Sequence, residues 1–360
     1  MLRRITSGAN FIPQIDGLRF FAIALVVLLH VEDMGRDTFG GTAHWFQLGG
    51  RGVPLFFVIS GFILALPFAK HYLNREAKVD LKKYYWRRLT RLEPPYILNI
   101  LFLFILFHLI HLHQSHGDIG WSHLWASLTY AHNQIFQGSS TFNPVAWSLE
   151  IEVQFYVLMP LLARIYTLGK FCRPVLVLLI IGFSALRFGP HPHAIDMSVI
   201  GNFQFFAAGL LLADLYVRGL PRKSLWWDGA SLCLWPAVLL VPGDLFMAAL
   251  PLVCIALYVA AFAGPISSSI LSLSPLTTIG GMCYSIYLFH FQILSWASRH
   301  ASSSGLFWCL SIACTMGFCT AFFLLVERPC MRPDWPRTLL NFIRGTPDST
   351  DKDTVAVRTN

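Results

Sequence analysis

The stretch Pro13-Gln14-Ile15-Asp16-Gly17-Leu18-Arg19-Phe20-Phe21-Ala22-Ile23-Ala24-Leu25-Val26-Val27-Leu28-Leu29-His30-Val31 is long and apolar enough to cross a bilayer as one helix, for which about 20 residues suffice. It follows a basic start, Leu2-Arg3-Arg4, and so has the outline of a secretory signal. No small-residue cleavage site comes after it, and Asp16, Arg19 and His30 lie within it, so it reads as a retained first span. Pro13 suits the first helical position, where a missing N–H is no loss.

Comparable apolar runs recur near 47–68, 94–113, 144–167, 173–189, 197–217, 225–241, 245–263, 276–298 and 305–326. The expected fold is therefore an all-α polytopic transmembrane bundle of about ten spans. Composition agrees: of 360 residues 55% are hydrophobic and 14% aromatic, only 13% are charged, and mean hydropathy is +0.56. A soluble domain carries about 25% charged residues, so a water-covered globule of this size is excluded. The net charge of +8 and pI near 9.2 invite a nucleic-acid reading, which needs the basic residues on one water-exposed face. Their placement points to the bilayer instead. Of the 27 Lys and Arg residues, 22 gather at Arg3 and Arg4, from Lys70 to Arg91, from Arg164 to Arg173, from Arg218 to Lys223 and from Arg328 to Arg358. Ten spans put all these segments on one side, which the positive-inside rule makes the cytoplasm, together with both termini. Arg19, Arg36, Arg51, Arg187 and Arg299 are the exceptions, and residues 114–143 contain neither Lys nor Arg. The eight cysteines fall in spans or cytoplasmic segments without a CxxC pair, so neither a disulfide framework nor a metal site is expected. Residues 10–332 form the membrane-embedded unit and 333–360 a cytoplasmic polar tail, disordered from Pro347 onward.

Charged side chains at mid-bilayer cost about 2.5–3.5 kcal/mol on insertion scales, so each needs a partner or a task. Arg19 and His30 are eleven residues apart, three helical turns plus about 20°, and share one face roughly 16 Å apart. Asp16 sits one turn before Arg19 and can pair with it. The pair reads either as a polar track through half the membrane or as a snorkelling Arg with a separately packed His. In Asn143-Pro144-Val145-Ala146-Trp147-Ser148-Leu149-Glu150-Ile151-Glu152-Val153-Gln154-Phe155-Tyr156, helical spacing puts Ser148, Glu152 and Tyr156 on one face. Glu150 lies about 200° from Glu152 and is expected near external water. Glu152 either faces a cleft or ties two spans together. In Lys82-Lys83-Tyr84-Tyr85-Trp86-Arg87-Arg88-Leu89-Thr90-Arg91-Leu92-Glu93-Pro94, Arg87, Arg88 and Arg91 cluster beside aromatic residues. Such a cluster suits phosphates and a stacked base, and equally suits anionic lipid headgroups. Tyr287 and His290 share a face of the ninth span, and Glu327-Arg328-Pro329 closes the tenth at the cytoplasmic surface. His108, His111, His113 and His116 have ligand-like spacings without a nearby acid or thiol, so no metal is assigned to them.

In order along the chain these pieces resemble the acyltransferase 3 family, integral membrane enzymes that decorate bacterial surface carbohydrates. Asp16-Gly17-Leu18-Arg19 followed by His30 is similar to its first-helix signature, and Gly52-Val53-Pro54-Leu55-Phe56-Phe57-Val58-Ile59-Ser60-Gly61-Phe62 to its second-helix block. Arg87-Arg88-Leu89-Thr90-Arg91-Leu92-Glu93-Pro94, Trp147-Ser148-Leu149 with Glu152, Gln154, Phe155 and Tyr156, Tyr284-Ser285-Ile286-Tyr287-Leu288-Phe289-His290 and Glu327-Arg328-Pro329 also match. Cys283 and Phe291 depart from residues common in the family and bear on the acceptor. Many members carry a soluble esterase-like domain after the last helix; here the sequence stops there, so a stand-alone form is expected.

The resemblance implies transfer of an acyl group, most often acetyl from acetyl-CoA, to a hydroxyl of a cell-surface or exported carbohydrate at a bacterial inner membrane. Acyl-CoA is then a co-substrate rather than a resident cofactor. Arg87, Arg88 and Arg91 would hold its phosphates, with Arg19 beginning the track towards His30 as general base. Glu152 is expected to orient His30, and Ser60, Tyr156, Tyr287 and His290 to hold the acceptor or an oxyanion. A carbohydrate transporter or flippase without acyl transfer is the alternative from another class, because intramembrane charges also mark permeation paths.

Overall fold

The computed structural model describes residues 4–5, 11–40, 47–109, 120–190, 192–332 and 334–344. His111, His113, His116 and the tail from Pro347 lie outside the described residues. Among those described, every regular element is helical. The helices are α1 (Pro13–Phe39), α2 (Gly52–Asn74), α3 (Leu81–Phe104), the short α4 (Trp121–Leu128) and α5 (His132–Phe136), α6 (Trp147–Leu162), α7 (Cys172–Ala185), the one-turn α8 (His193–Asp196) and α9 (Val199–Arg218). There follow α10 (Leu225–Leu240), α11 (Asp244–Ala263), α12 (Pro265–Leu271), α13 (Ser274–Gly281), α14 (Cys283–His300), α15 (Ser304–Phe322), the one-turn α16 (Arg328–Cys330) and α17 (Trp335–Arg344).

Seven helical stretches among the described residues are long and apolar enough to cross a membrane: Pro13–Phe39, Gly49–Asn74, Leu81–His108, Pro144–Phe188, His193–Arg218, Asp244–Ala263 and Ser304–Cys330. The other expected spans take three different forms. The runs at 144–167 and 173–189 lie in one stretch broken at Gly169, whose φ of 58° and ψ of −115° leave the helical region. The run at 225–241 is α10, only 16 residues long. The run at 276–298 is split at Met282 into α13 and α14.

Without a hydrophobic force between spans, close backbone packing through small residues holds them together. The tightest example is α2 against α9. A Cβ built on Gly209 would stand 2.5 Å from both the Val58 carbonyl oxygen and the Phe62 nitrogen, and one on Gly61 2.6 Å from the Phe206 carbonyl. Around this crossing lie Phe57, Val58, Phe62, Phe206 and Leu210, all buried.

Three charged residues near helix ends, Asp214, Asp228 and Arg51, find protein partners. Asp214 accepts from Arg173 at 2.5 Å and Arg218 at 2.8 Å, tying α7 to α9. Asp228 accepts the Ser267 N–H at 2.7 Å and the Ile266 N–H at 3.2 Å, so it caps α12. Arg51, one of the exceptions to the charge count, is buried and donates to the Val238 carbonyl at 2.5 Å and to that of Val241, closing the C-terminus of α10.

The segment carrying α4 and α5 turns back against the bundle. The Tyr96 hydroxyl donates to the Ser127 carbonyl at 2.9 Å, and the Tyr96 and Tyr130 rings stack at 4.6 Å. Asn143 donates to Asn99 at 3.0 Å and to the Leu288 carbonyl at 2.9 Å. This overturns the expectation that Glu150 meets external water: it is 0% exposed, and its Oε2 accepts the Asn133 N–H at 2.9 Å. The returning chain covers it, and that contact is invisible in local periodicity.

Replacing Gly209 by Val is expected to cost 1–3 kcal/mol or more through overpacking, at order of magnitude. Folded yield in detergent and the thermal midpoint should both fall, while Gly182→Ala, whose Cβ meets nothing within 4 Å, leaves them unchanged. Equal midpoints would contradict the packing argument.

Candidate active site

A cavity of about 570 Å³ opens between α1, α2, α3, α6 and α14 at the end of the bundle where the basic residues lie. Of the sequence-predicted residues, Arg19, Ser60, Arg87, Arg88, Arg91, Glu152, Tyr156 and Tyr287 line it; His30 and His290 do not. Ser148, Glu152 and Tyr156 share the expected face of α6, and all three reach the cavity.

On α1, the Asp16 carboxylate is 1% exposed and divided between two guanidinium groups. Arg19 Nη1 donates to one oxygen at 2.7 Å and Arg4 Nε to the other at 2.6 Å. Arg19 is therefore held at the cavity wall and does not snorkel away. Burial and the neighbouring Arg19 pull the Arg4 guanidinium down to about 10 against the opposing pull of Asp16, so it stays charged at neutral pH.

On α3, the Arg88 guanidinium carbon stands 3.8 Å from the Tyr84 ring centre and 5.9 Å from that of Tyr156, within cation–π range of both. Its Nη1 donates to the Tyr84 carbonyl at 3.1 Å. Arg91 has a buried Nε–H with no protein acceptor among the described residues, a donor suited to an incoming anionic oxygen. In the same cavity, the Glu152 Oε1 accepts hydrogen bonds from the Ser60 and Tyr156 hydroxyls. Glu152 thereby ties α2 to α6 and also faces the cleft; the two readings open from sequence are one arrangement.

Further along the bundle, His30 of α1 meets His290 of α14, with His290 Nε2 3.3 Å from His30 Nδ1 and the ring centres 5.2 Å apart. Their tautomers follow from their partners. His290 Nδ1 lies 2.9 Å from the carbonyls of both Ile286 and Tyr287, so it carries the proton and leaves Nε2 as an acceptor. His30 Nδ1 lies 2.9 Å from the Val26 carbonyl, so it donates there and is shared towards His290 Nε2. In the neutral pair the remaining His30 nitrogen, Nε2, is an unprotonated lone pair. The expected contact of Glu152 with His30 is not formed: Glu152 lies in the cavity, its Oε1 accepting from Ser60 and Tyr156, while His30 lies outside it and faces His290.

Tyr287, one turn before His290, lines the cavity. Its hydroxyl meets Ser148 Oγ at 2.8 Å and donates to the Val145 carbonyl. It stands between the charged cavity and the histidines. Glu327 corrects a further expectation: it is buried within a π-helical turn, Phe323–Glu327, and accepts from the Ser285 N–H at 3.0 Å and Oγ at 2.5 Å. A local helix motif cannot announce that turn. Arg4 and Tyr84 were missed as site residues; the run of aromatics beside Arg88 was the available signal for Tyr84.

Comparison with known proteins places these motifs among relatives. The family described as "Acyltransferase domain" matches residues 12–326. "O-acetyltransferase OatA" of Staphylococcus aureus is 33% identical over 161 residues, 42% of this chain and 24% of that protein. "Peptidoglycan O-acetyltransferase OatA" of Listeria monocytogenes is 26% identical over 338 residues, 82% of this chain and 51% of its own length. "Putative peptidoglycan O-acetyltransferase YrhL" of Bacillus subtilis is 30% identical over 169 residues, 43% of this chain and 24% of that protein. The chain thus covers between a quarter and half of these curated relatives. No solved structure matches.

Asp16→Asn removes the charge that two buried guanidinium groups share. Breaking such a pair costs about 3–5 kcal/mol, so the variant's thermal midpoint in detergent should fall by many degrees. A second change, Arg4→Gln, should recover part of the loss; an Asp16→Asn protein as stable as wild type would dismiss the double pair.

Proposed function

The chain belongs to the acyltransferase 3 family, and from that premise we propose that it moves an acyl group, acetyl in the first instance, from acyl-CoA to a hydroxyl of a cell-surface carbohydrate. The observation that carries this reading is the cavity at the basic end of the bundle, in which Arg19, Arg88 and Arg91 converge and beyond which a histidine pair offers a base. The relatives named O-acetyltransferases support acetyl as the group and a polysaccharide as the acceptor.

In this reading the bundle crosses a bacterial inner membrane ten times with both termini in the cytoplasm. Pro144–Phe188 then supplies two crossings parted at Gly169, α10 one, and α13 with α14 one, beside the other six apolar stretches. The phosphates of the donor lie against Arg87, Arg88 and Arg91 on the cytoplasmic side, and the thioester arm extends past Ser148 and Tyr287. His30 Nε2 takes the proton of the acceptor hydroxyl as its oxygen attacks the thioester carbonyl carbon. The tetrahedral oxyanion collapses, the C–S bond breaks, and the thiolate leaves with the proton returned by His30. With the Tyr287 O–H held by the Val145 carbonyl, it is the Ser148 hydroxyl, now donating to the Tyr287 oxygen, that can turn its proton to the oxyanion. His290 positions the base by accepting from His30 Nδ1 and so keeping Nε2 free. Glu152 balances the charge of Arg19 and Arg88 within reach of both.

The test uses membranes containing the protein and labelled acetyl-CoA. Label should enter a carbohydrate fraction with wild type and not with His30→Ala, while expression and insertion stay intact; near-normal turnover by that variant removes the base assignment. Arg88→Ala should raise KM for the donor about tenfold or more with little change in kcat, the effect of losing a charge-assisted contact. His290→Leu should lower kcat about 10²-fold, whereas His290→Gln, whose amide oxygen can accept from His30 Nδ1, keeps most of it. Equal losses in the two would show that His290 merely fills space.

A further inference from the structure

Beside the inner cavity lies a second recess of about 470 Å³, lined by Asp80, Lys82, Lys83, Trp86, Pro336 and Arg337. It shares Asp80 and Lys83 with the inner cavity, so the two adjoin along the first turn of α3. Its far wall is α17, which is fixed there because Trp335 Nε1–H donates to the Thr90 carbonyl at 2.9 Å. Three cations and one carboxylate face it. Asp80 is already engaged, accepting the Lys83 N–H at 3.1 Å as cap of α3 and pairing with Lys83 Nζ at 3.8 Å. Lys82 and Arg337 form no ion pair among the described residues, and Trp86 leaves 52% of its surface uncovered.

We propose that this recess binds the adenosine 3′-phosphate end of the acyl donor, with the purine on the Trp86 indole and the phosphomonoester between Lys82 and Arg337. The inference rests on the reading of acyl-CoA as donor and extends it beyond the arginine cluster. The order of groups supports it. A CoA thioester runs from purine and 3′-phosphate through diphosphate and pantetheine to the acyl carbon. Along α3 the exposed indole and Lys82 come first, then Arg87 and Arg88, then Arg91 deeper in the cavity. An aromatic face accepts any base without sequence cost, and paired cations favour a dianion over a monoanion. The recess has protein on both sides, α3 and α17, whereas a topogenic basic cluster needs only the bilayer. An anionic lipid headgroup offers the same phosphate chemistry, so the experiment separates the two sources.

Full-length protein in nanodiscs of phosphatidylcholine alone, and of phosphatidylcholine with phosphatidylglycerol, is titrated with CoA and with 3′-dephospho-CoA. Wild type should bind CoA about tenfold more tightly than the dephospho form in both lipids. In Lys82→Ala/Arg337→Ala that ratio should fall to about one through weaker CoA binding, with 3′-dephospho-CoA binding unchanged. Trp86→Ala should weaken both nucleotides by a similar factor and keep the ratio. A wild-type ratio of one, or a ratio preserved in the double variant, overturns the subsite. So does an effect of the double variant that is equal for both nucleotides and confined to discs with phosphatidylglycerol, which assigns the recess to lipid. Absence of any CoA binding by wild type instead removes the donor reading itself, and the subsite with it.

Discussion

One carboxylate, Asp16, holds the basic end of the bundle together. It neutralises Arg4 and Arg19 at once at the wall of the cavity. A Cβ on Gly280 would stand 1.8 Å from the Asp16 carbonyl oxygen, so α13 presses on α1 at the same level. Three residues later α14 has begun, and its Tyr284, Tyr287 and His290 follow at successive turns. Since His30 lies three turns along α1 from Arg19, both helices run outward from this one clamp, and their registers bring the two histidines within 3.3 Å.

Two zones of different chemistry result. The zone at the basic end is rich in guanidinium groups, Arg88 standing over the Tyr84 ring and Arg19 held by Asp16, with the Glu152 carboxylate in the same cavity. In the deeper zone the histidines, among the described residues, hydrogen-bond to carbonyls and to each other. Tyr287 and Ser148 stand between the two. A charged donor head and an uncharged reacting centre are what such a division accommodates, because a phosphate needs fixed cations while a base needs a neutral lone pair.

Local periodicity made part of the site legible. Ser148, Glu152 and Tyr156 share a face because four-residue steps do so in any α-helix, and Arg87, Arg88 and Arg91 cluster for the same reason. The partners of these groups were not legible. Glu152 was assigned to His30 and instead holds Ser60 and Tyr156; Glu150 was placed towards water and lies under α5; Glu327 was placed at the surface and turns inward through a π-helical turn. Each outcome depends on an element far away in the chain or on a break in regular winding. Arg51 is similar, since its target is the end of a helix nearly two hundred residues on.

The amino-acid sequence by itself determined that this chain is a helical membrane protein, because apolar length and the scarcity of charge are set by the bilayer and need no tertiary contact to be read. It also singled out the candidate site residues, through charges that a span admits only with a task. The tertiary structure alone decided how those residues are paired: which acid meets which base, which histidine nitrogen is left bare, and where the helices break at Gly169 and Met282. The physical reason is range. Helix formation and membrane partition are summed over neighbouring residues, whereas a hydrogen bond between two spans depends on their rotation and register, which only the packing of the whole bundle fixes.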